Sequence, residues 1–222
     1  MGILYIVATP IGNLNDITLR ALAVLKSVDV ILCEDTRVTK NLLDHFDIDK
    51  PLLSYHHHSD TRKVNEIKEL VFEGKNLALV TDAGTPGISD PGNMLVSQLA
   101  TSNIRTVIIP IPGPSALTAA LSVSGFPTDK FLFLGFPPHK NKRQKFFKEV
   151  AETEHTVIFY ESGHRILKCL EELKEILDPK RQVVVCRELT KKFETIYRGT
   201  AEELLTAMKD ERGEFVVVIN AQ

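Results

Sequence analysis

The sequence predicts an α/β protein, with a mainly parallel sheet in its first half and a mixed sheet in its second. Three observations carry this expectation. Up to residue 114, short apolar runs alternate with helical patterns, which is the arrangement of βαβ units. Three proline-bearing loops each follow one of those runs, at residues 9–13, 81–92 and 110–114. Beyond Pro112-Gly113-Pro114 the strands become consecutive and helices fewer, which places a domain boundary there and gives domains 1–114 and 115–222.

The elements follow in order. Residues 3–8 are continuously apolar, as a strand buried on both faces requires. Asn15 or Asp16 is the expected cap of a helix whose face carries Ile17, Ala21, Leu22 and Leu25. A strand is expected over 28–33, a helix over 36–45, a short strand over 52–55 and an amphipathic helix over 61–72. Residues 77–80 form the next strand and run into the loop 81–92. A helix then reaches residue 100, and a strand over 105–109 ends at Pro110. In the second half, helices are expected over 115–124, 141–150, 164–177 and 201–208. Strands are expected over 131–136, 157–160, 182–187, 194–198 and 214–220.

Composition narrows the function classes. The 222 residues are 43% hydrophobic and 25% charged, an ordinary globular balance that excludes global disorder. Lys and Arg number 27 against 29 Asp and Glu, a net charge of −2. Binding nucleic acid through a global positive field is therefore disfavoured, while a local basic patch stays open. Cys33, Cys169 and Cys186 are widely spaced and odd in number, which suggests neither a disulfide framework nor a zinc site. A reducing compartment fits. No apolar run approaches the roughly 18 residues of a membrane span, and the first residues lack a signal peptide's basic segment. The expectation is a soluble cytoplasmic protein without membrane contact.

Several nucleotide and catalytic motifs are missing. No two glycines lie two apart, so the dinucleotide fingerprint is excluded, and no P-loop is present. Neither the nucleophile-elbow nor the His-Glu-x-x-His pattern occurs.

The informative stretch is Thr81-Asp82-Ala83-Gly84-Thr85-Pro86-Gly87-Ile88-Ser89-Asp90-Pro91-Gly92. Glycine permits close backbone approach and proline fixes shape, leaving amides and carbonyls to face a ligand. A plain connector is the bland alternative, but most connectors run only a few residues. The loops at 9–13 and 112–116 are turn chemistry when taken singly. At one sheet edge they can together line a pocket with backbone groups. Glu34-Asp35-Thr36-Arg37 reads as an N-cap with acids favouring the helix dipole, which explains the acids but not Arg37. His56-His57-His58 cannot converge on one ion from a strand, so a surface or substrate role is favoured and no metal is expected. Residues 139–148 carry Lys140, Lys142, Arg143, Lys145 and Lys148 without an acid. They form either a solvated helix face or a phosphate contact.

Three segments together carry a resemblance: Thr9-Pro10-Ile11-Gly12-Asn13-Leu14, Glu34-Asp35-Thr36-Arg37 and the eleven residues from Asp82 to Gly92. With them come Tyr55-His56-x-His58, Pro112-Gly113-Pro114-Ser115-Ala116, Phe159-Tyr160-Glu161-Ser162 with His164-Arg165, Arg187-Glu188-Leu189-Thr190-Lys191 and Gly213-Glu214-Phe215. In this order the chain resembles the ribosomal RNA small subunit methyltransferase I family of the tetrapyrrole (corrin/porphyrin) methylase superfamily. The match spans nearly the whole chain, and the segment from Asp82 is its most specific part.

The resemblance implies two αβα domains of the tetrapyrrole methylase type, with S-adenosylmethionine in the cleft between them. It implies methyl transfer to the ribose 2′-oxygen of a cytidine in 16S ribosomal RNA near the decoding centre, within the small ribosomal subunit. It also implies a homodimer. Gly84-Thr85-Pro86 takes the place of the Gly-Asp-Pro loop of corrin methylases. Asp82, Gly84, Thr85, Ile88, Ser115 and Ala116 then fall at cofactor positions, with Pro10 and Tyr160 as further walls. Two departures stand out. Gly163 replaces an expected proline, which should loosen the turn between Ser162 and His164. The chain also ends soon after residue 219, where longer relatives carry a further segment.

Such a transfer is an in-line displacement in which positioning supplies much of the acceleration. A general base would help the protonated 2′-hydroxyl, and Asp35, Glu161 and Lys191 are the candidates. Arg37 and His56 suit phosphate or ribose, and Lys140, Lys142 and Arg143 suit salt-dependent RNA contact. Two other readings remain: methylation of a tetrapyrrole on the same fold, and a cofactor-binding assembly factor without catalysis.

Overall fold

The computed structural model describes residues 2–56, 59, 61–101, 106–208 and 211–222. The chain divides into two compact units, Met1–Ser115 and Ala116–Gln222.

In the first unit, strands β1 (Ile3–Val7), β2 (Val30–Cys33), β3 (Leu52–Ser54), β4 (Leu77–Leu79) and β5 (Val107–Ile111) alternate with helices. The helices are α1 (Leu19–Ser27), α2 (Thr36–His45), α3 (Thr61–Phe72) and α4 (Asn93–Ala100). The strands form one sheet in the order β3-β2-β4-β1-β5, and every pairing is parallel. Alternate residues of each strand serve opposite faces. Ile31, Cys33, Ala78 and Val80 join Ala21 and Leu25 of α1 and Leu42 and Leu43 of α2 in one apolar cluster. Leu32, Leu77 and Leu79 join Val64, Ile67 and Val71 of α3 and Leu95 and Leu99 of α4 in another. Both faces are covered, which explains the continuously apolar strand sequences.

Two local expectations change. The cap of α1 is Thr18, whose hydroxyl accepts from the Ala21 N–H at 3.1 Å. Asn15 and Asp16 instead lie in the short 3-10 turn Leu14–Asp16, capped by Asn13. Strand β5 runs through Pro110 rather than ending before it. This strand lies at the sheet edge, where a missing N–H costs nothing. Arg105, expected to begin it, lies outside the described residues.

The second unit contains α5 (Ala116–Ser124), β6 (Phe131–Phe133), α6 (Arg143–Glu152), β7 (Thr156–Ser162), α7 (Gly163–Ile176), β8 (Val183–Arg187), β9 (Thr195–Gly199), α8 (Ala201–Ala207) and β10 (Glu214–Ile219). Its sheet order is β6-β7-β10-β8-β9. The β6–β7 pair is parallel and the other pairs are antiparallel, so this sheet is mixed. Phe146, Phe147 and Val150 of α6, Ile166, Leu170 and Leu173 of α7 and Leu204 of α8 pack with Val157, Phe159, Val183, Val185, Phe215 and Val217. Helix α5 packs on β10 and β7. Thr200 and Glu203 form a reciprocal capping box on α8.

Gly163 does not loosen its turn. It opens α7, donates its N–H to the Gly213 carbonyl at 3.0 Å, and lies so close to the segment before β10 that a Cβ would overlap the Glu211 carbonyl oxygen. Glycine is required there by close approach.

Candidate active site

The site is built from loops at the carboxyl ends of the first unit's parallel strands, the edge where such sheets bind ligands. The loop after β1 is zipped to the loop after β4. Thr9 and Gly84 exchange both backbone hydrogen bonds, at 2.9 and 3.0 Å, in an isolated antiparallel bridge. The buried Thr9 hydroxyl also donates to the Thr81 carbonyl at 3.1 Å. Gly84 holds φ at +80°, a conformation that strains any side chain. The Thr85 hydroxyl then donates to the Pro114 carbonyl at 3.2 Å, tying in the loop after β5. Asn93, at the start of α4, donates its side-chain amide to the Gly87 carbonyl at 2.9 Å and closes the far end of the loop.

These bonds bring the expected cofactor residues Pro10, Asp82, Gly84 and Thr85 into one constellation, followed directly along the chain by Ile88 and Ser115. Pro10 is buried, and Ile88 is 41% exposed. Ala116 opens α5 in the second unit. Tyr160, on β7, packs its ring edge-on to Phe133, with centroids 5.1 Å apart, and tilted against Phe136 at 5.4 Å.

The β2 edge joins through an acidic group. The Asp35 N–H donates to the Asp82 carboxylate at 3.1 Å. Asp35 itself is the N-cap of α2 and grips the Arg37 guanidinium, with the shortest contact 2.6 Å. That side-chain bond, reinforced by the Arg37 N–H, holds the Asp35 carboxyl down to about 2. The pairing accounts for Arg37 and leaves Asp35 a weak base.

Asp90 contrasts with it. Burial, with Glu34 adding repulsion, pushes its carboxyl up to about 6, against a smaller opposing effect of the Thr81 hydroxyl. Sequence reasoning saw Asp90 only as part of its loop. Its signal is an acid before Pro91-Gly92 at a helix start, but the neighbouring Glu34 lies 56 positions away.

The other two base candidates lie in the second unit in separate charge networks. Glu161 is fully buried, pairs with Arg165 at 2.7 Å and Arg143 at 3.5 Å, and accepts from the Ser162 N–H. Lys191 donates to Glu214 at 2.7 Å and to Glu188 at 3.0 Å. Burial acts to lower the Lys191 pKa, but the two carboxylates outweigh it and raise it, so the amine stays protonated.

The basic segment needs one correction. Arg143 is not an RNA-facing cation. It is 5% exposed, lies over the Phe147 ring, pairs with Glu172 at 2.7 Å and donates to the Pro138 carbonyl. Lys140 and Lys142 are exposed, and Lys142, with φ at +67°, marks the start of α6 two residues later than expected. His56 is exposed and accepts through its carbonyl from the Ser59 N–H, while His57 and His58 lie outside the described residues. Among the described residues, no group of three or more His, Cys, Asp or Glu is placed to hold a metal. Among the same described residues, no helix is long and apolar enough to cross a membrane.

Residues 3–205 match the family model described as tetrapyrrole (corrin/porphyrin) methylases. The chain belongs to this methylase family. It is 48% identical to the "Ribosomal RNA small subunit methyltransferase I" of Synechocystis sp., over 99% of this chain and 79% of that one. The protein of the same name from Thermotoga maritima is 44% identical over 100% of both chains. Among solved structures, the cobalt precorrin-4 methyltransferase CbiF superposes with a TM-score of 0.72 at 20% identity, over 98% of this chain and 94% of that one. This tetrapyrrole methylase family member is a methyltransferase, and its fold is that of the solved enzymes.

Proposed function

We propose that the protein transfers a methyl group from S-adenosylmethionine to the ribose 2′-oxygen of a cytidine in 16S ribosomal RNA of the small subunit. The observation that carries the cofactor half is the three-loop constellation joined by the Thr9–Gly84 bridge and the Thr85–Pro114 bond. The RNA half is supported by the relatives' names, at 44 to 48% identity over nearly the full chain.

The residues present fit the cofactor. A sulfonium with an adenosine asks for backbone donors and acceptors, an apolar wall and negative charge. The Gly84 to Gly92 segment offers the first, Pro10 and Ile88 the second, and Asp82, Asp90 and Glu34 the third. The bound cofactor supplies an electrophilic methyl carbon. The chain's own part is orientation: a loop cross-tied at Gly84, Thr85 and Gly87 costs little further ordering when ligand arrives. Arg37 is tethered to Asp35 with its side chain 88% exposed, so it can meet a phosphate. Lys140 and Lys142 contribute further phosphate contacts from the second unit.

The test incubates purified protein with methyl-labelled S-adenosylmethionine and small ribosomal subunits lacking this modification, then maps the label by nuclease digestion. Label on a cytidine 2′-oxygen is the expected result. Cofactor binding with label confined to a tetrapyrrole acceptor, or with no transfer at all, overturns the RNA reading.

A further inference from the structure

The loop after β6 displays an aromatic ring to solvent and is held unusually firmly. Phe136 is 52% exposed. On one side, the Leu134 N–H donates to the Ile158 carbonyl at 3.0 Å and the Tyr160 N–H to the Gly135 carbonyl at 2.8 Å. On the other, Arg165 donates to the Pro137 carbonyl at 3.2 Å and Arg143 to the Pro138 carbonyl at 3.1 Å. Both guanidiniums are anchored by acids, Arg165 by Glu161 and Arg143 by Glu172. Packed apolar side chains of similar volume would often stabilise this region as well as a buried charge network does. The network's distinct property is directional: it fixes two consecutive proline carbonyls, and with them the ring that precedes them.

Phe136 has an aromatic neighbour in space and cationic neighbours along the chain. Tyr160 lies at 5.4 Å and braces the ring. Four and six residues on, Lys140 and Lys142 are exposed and form no ion pair among the described residues. An apolar protein partner would meet uncompensated ammonium groups here. A nucleic-acid strand presents what this surface lacks, a flat base for the ring and phosphates for the lysines.

We propose that Phe136 is a stacking platform for an unpaired nucleobase of the RNA substrate, with Lys140 and Lys142 taking the adjoining phosphates. The inference rests on the RNA reading above and adds to it a specific base-binding subsite. Arg143, Arg165, Glu161 and Glu172 are positioning residues for that platform and do not touch the RNA.

The test uses the full chain with Phe136→Ala and Phe136→Trp. Three quantities are measured: S-adenosylmethionine affinity, kcat/KM on unmethylated small subunits, and fluorescence quenching of a single-stranded oligoribonucleotide carrying 2-aminopurine. Wild type should quench the probe. Phe136→Ala should abolish quenching and lower kcat/KM roughly 5- to 150-fold, the range of base–aromatic stacking. Cofactor affinity should stay unchanged, and Phe136→Trp should restore both RNA readouts. Wild-type quenching that survives in Phe136→Ala overturns the platform, as does a loss of cofactor affinity in that variant. Should wild type label no RNA, the methylation reading fails separately. The platform then stands if quenching depends on residue 136 and falls if it does not.

Discussion

The Thr85 hydroxyl donates to the Pro114 carbonyl at 3.2 Å, joining two loops 29 positions apart. With the Thr9–Gly84 bridge, this bond makes one rigid rim from three separate strand ends. Thr85→Val keeps the shape and removes the donor. A lost hydrogen bond of this kind costs about 1 kcal/mol of folding stability, so the melting temperature should fall, and the looser rim should bind S-adenosylmethionine more weakly. Calorimetric titration with S-adenosylmethionine measures it, and an unchanged dissociation constant contradicts the role given to the bond.

Asp90 predicts a pH-dependent stability. Its native carboxyl titrates at about 6, above the ordinary range, because burial and Glu34 disfavour the charged form. The native state therefore holds this proton more tightly than the unfolded chain. The resulting stability is fully present below the unfolded pKa near 4 and is lost as pH rises through about 6. Asp90→Asn removes the ionisation and should stabilise the protein above pH 6 by about 1–2 kcal/mol after allowance for residual exposure. Thermal melts from pH 4 to 8 should show the variant's advantage shrinking on acidification. An advantage independent of pH refutes the assignment.

Binding of the cationic cofactor should follow the same titration in the opposite sense. An ionised Asp90 attracts a sulfonium and a protonated one does not. Affinity in wild type should rise as pH increases through about 6, and Asp90→Asn should flatten that rise.

Arg143 and its lysine neighbours should separate cleanly. Removing Arg143 strands Glu172 and Glu161 without their shared guanidinium, so Arg143→Leu should cost about 3–5 kcal/mol. Lys140→Ala with Lys142→Ala should leave stability nearly untouched. That pair should reduce the slope of log affinity for RNA against log salt by about 1–2. A stable Arg143→Leu protein with a flattened salt slope would return Arg143 to the RNA-facing set.

Gly163→Ala should destabilise the second unit by about 1–3 kcal/mol, because its Cβ meets backbone at Glu211 and Gly213 rather than a side chain that can move. Denaturant melts check this, and a neutral effect would show that the 211–213 segment yields easily.

Local pattern made most of the fold legible. Helix 36–45 was legible from its acidic N-cap segment and helix 61–72 from its amphipathic period, and the structure has both at those limits. The parallel sheet followed from strands apolar throughout, since both faces are covered. The loop at 81–92 stood out because glycine and proline punctuate it. Boundaries slipped where a neighbour competed with local preference. Thr18 took the cap that Asn15 and Asp16 also offered, and Pro110 entered a strand because that strand lies at an edge.

Chain order alone sets whatever recurs within a few residues: helix and strand periods, turn chemistry, the order of elements and the loops that follow strands. The tertiary structure alone decided the state of the charges. Arg143 looks like any other cation in a basic run until Glu172, 29 positions on, and Glu161 enclose it. Asp35 and Asp90 are both loop acids in sequence, yet Arg37 holds one near 2 while burial beside Glu34 lifts the other to about 6. Charge energies depend on distance and on exclusion of water, and both are set by residues that the fold, not the chain order, makes neighbours.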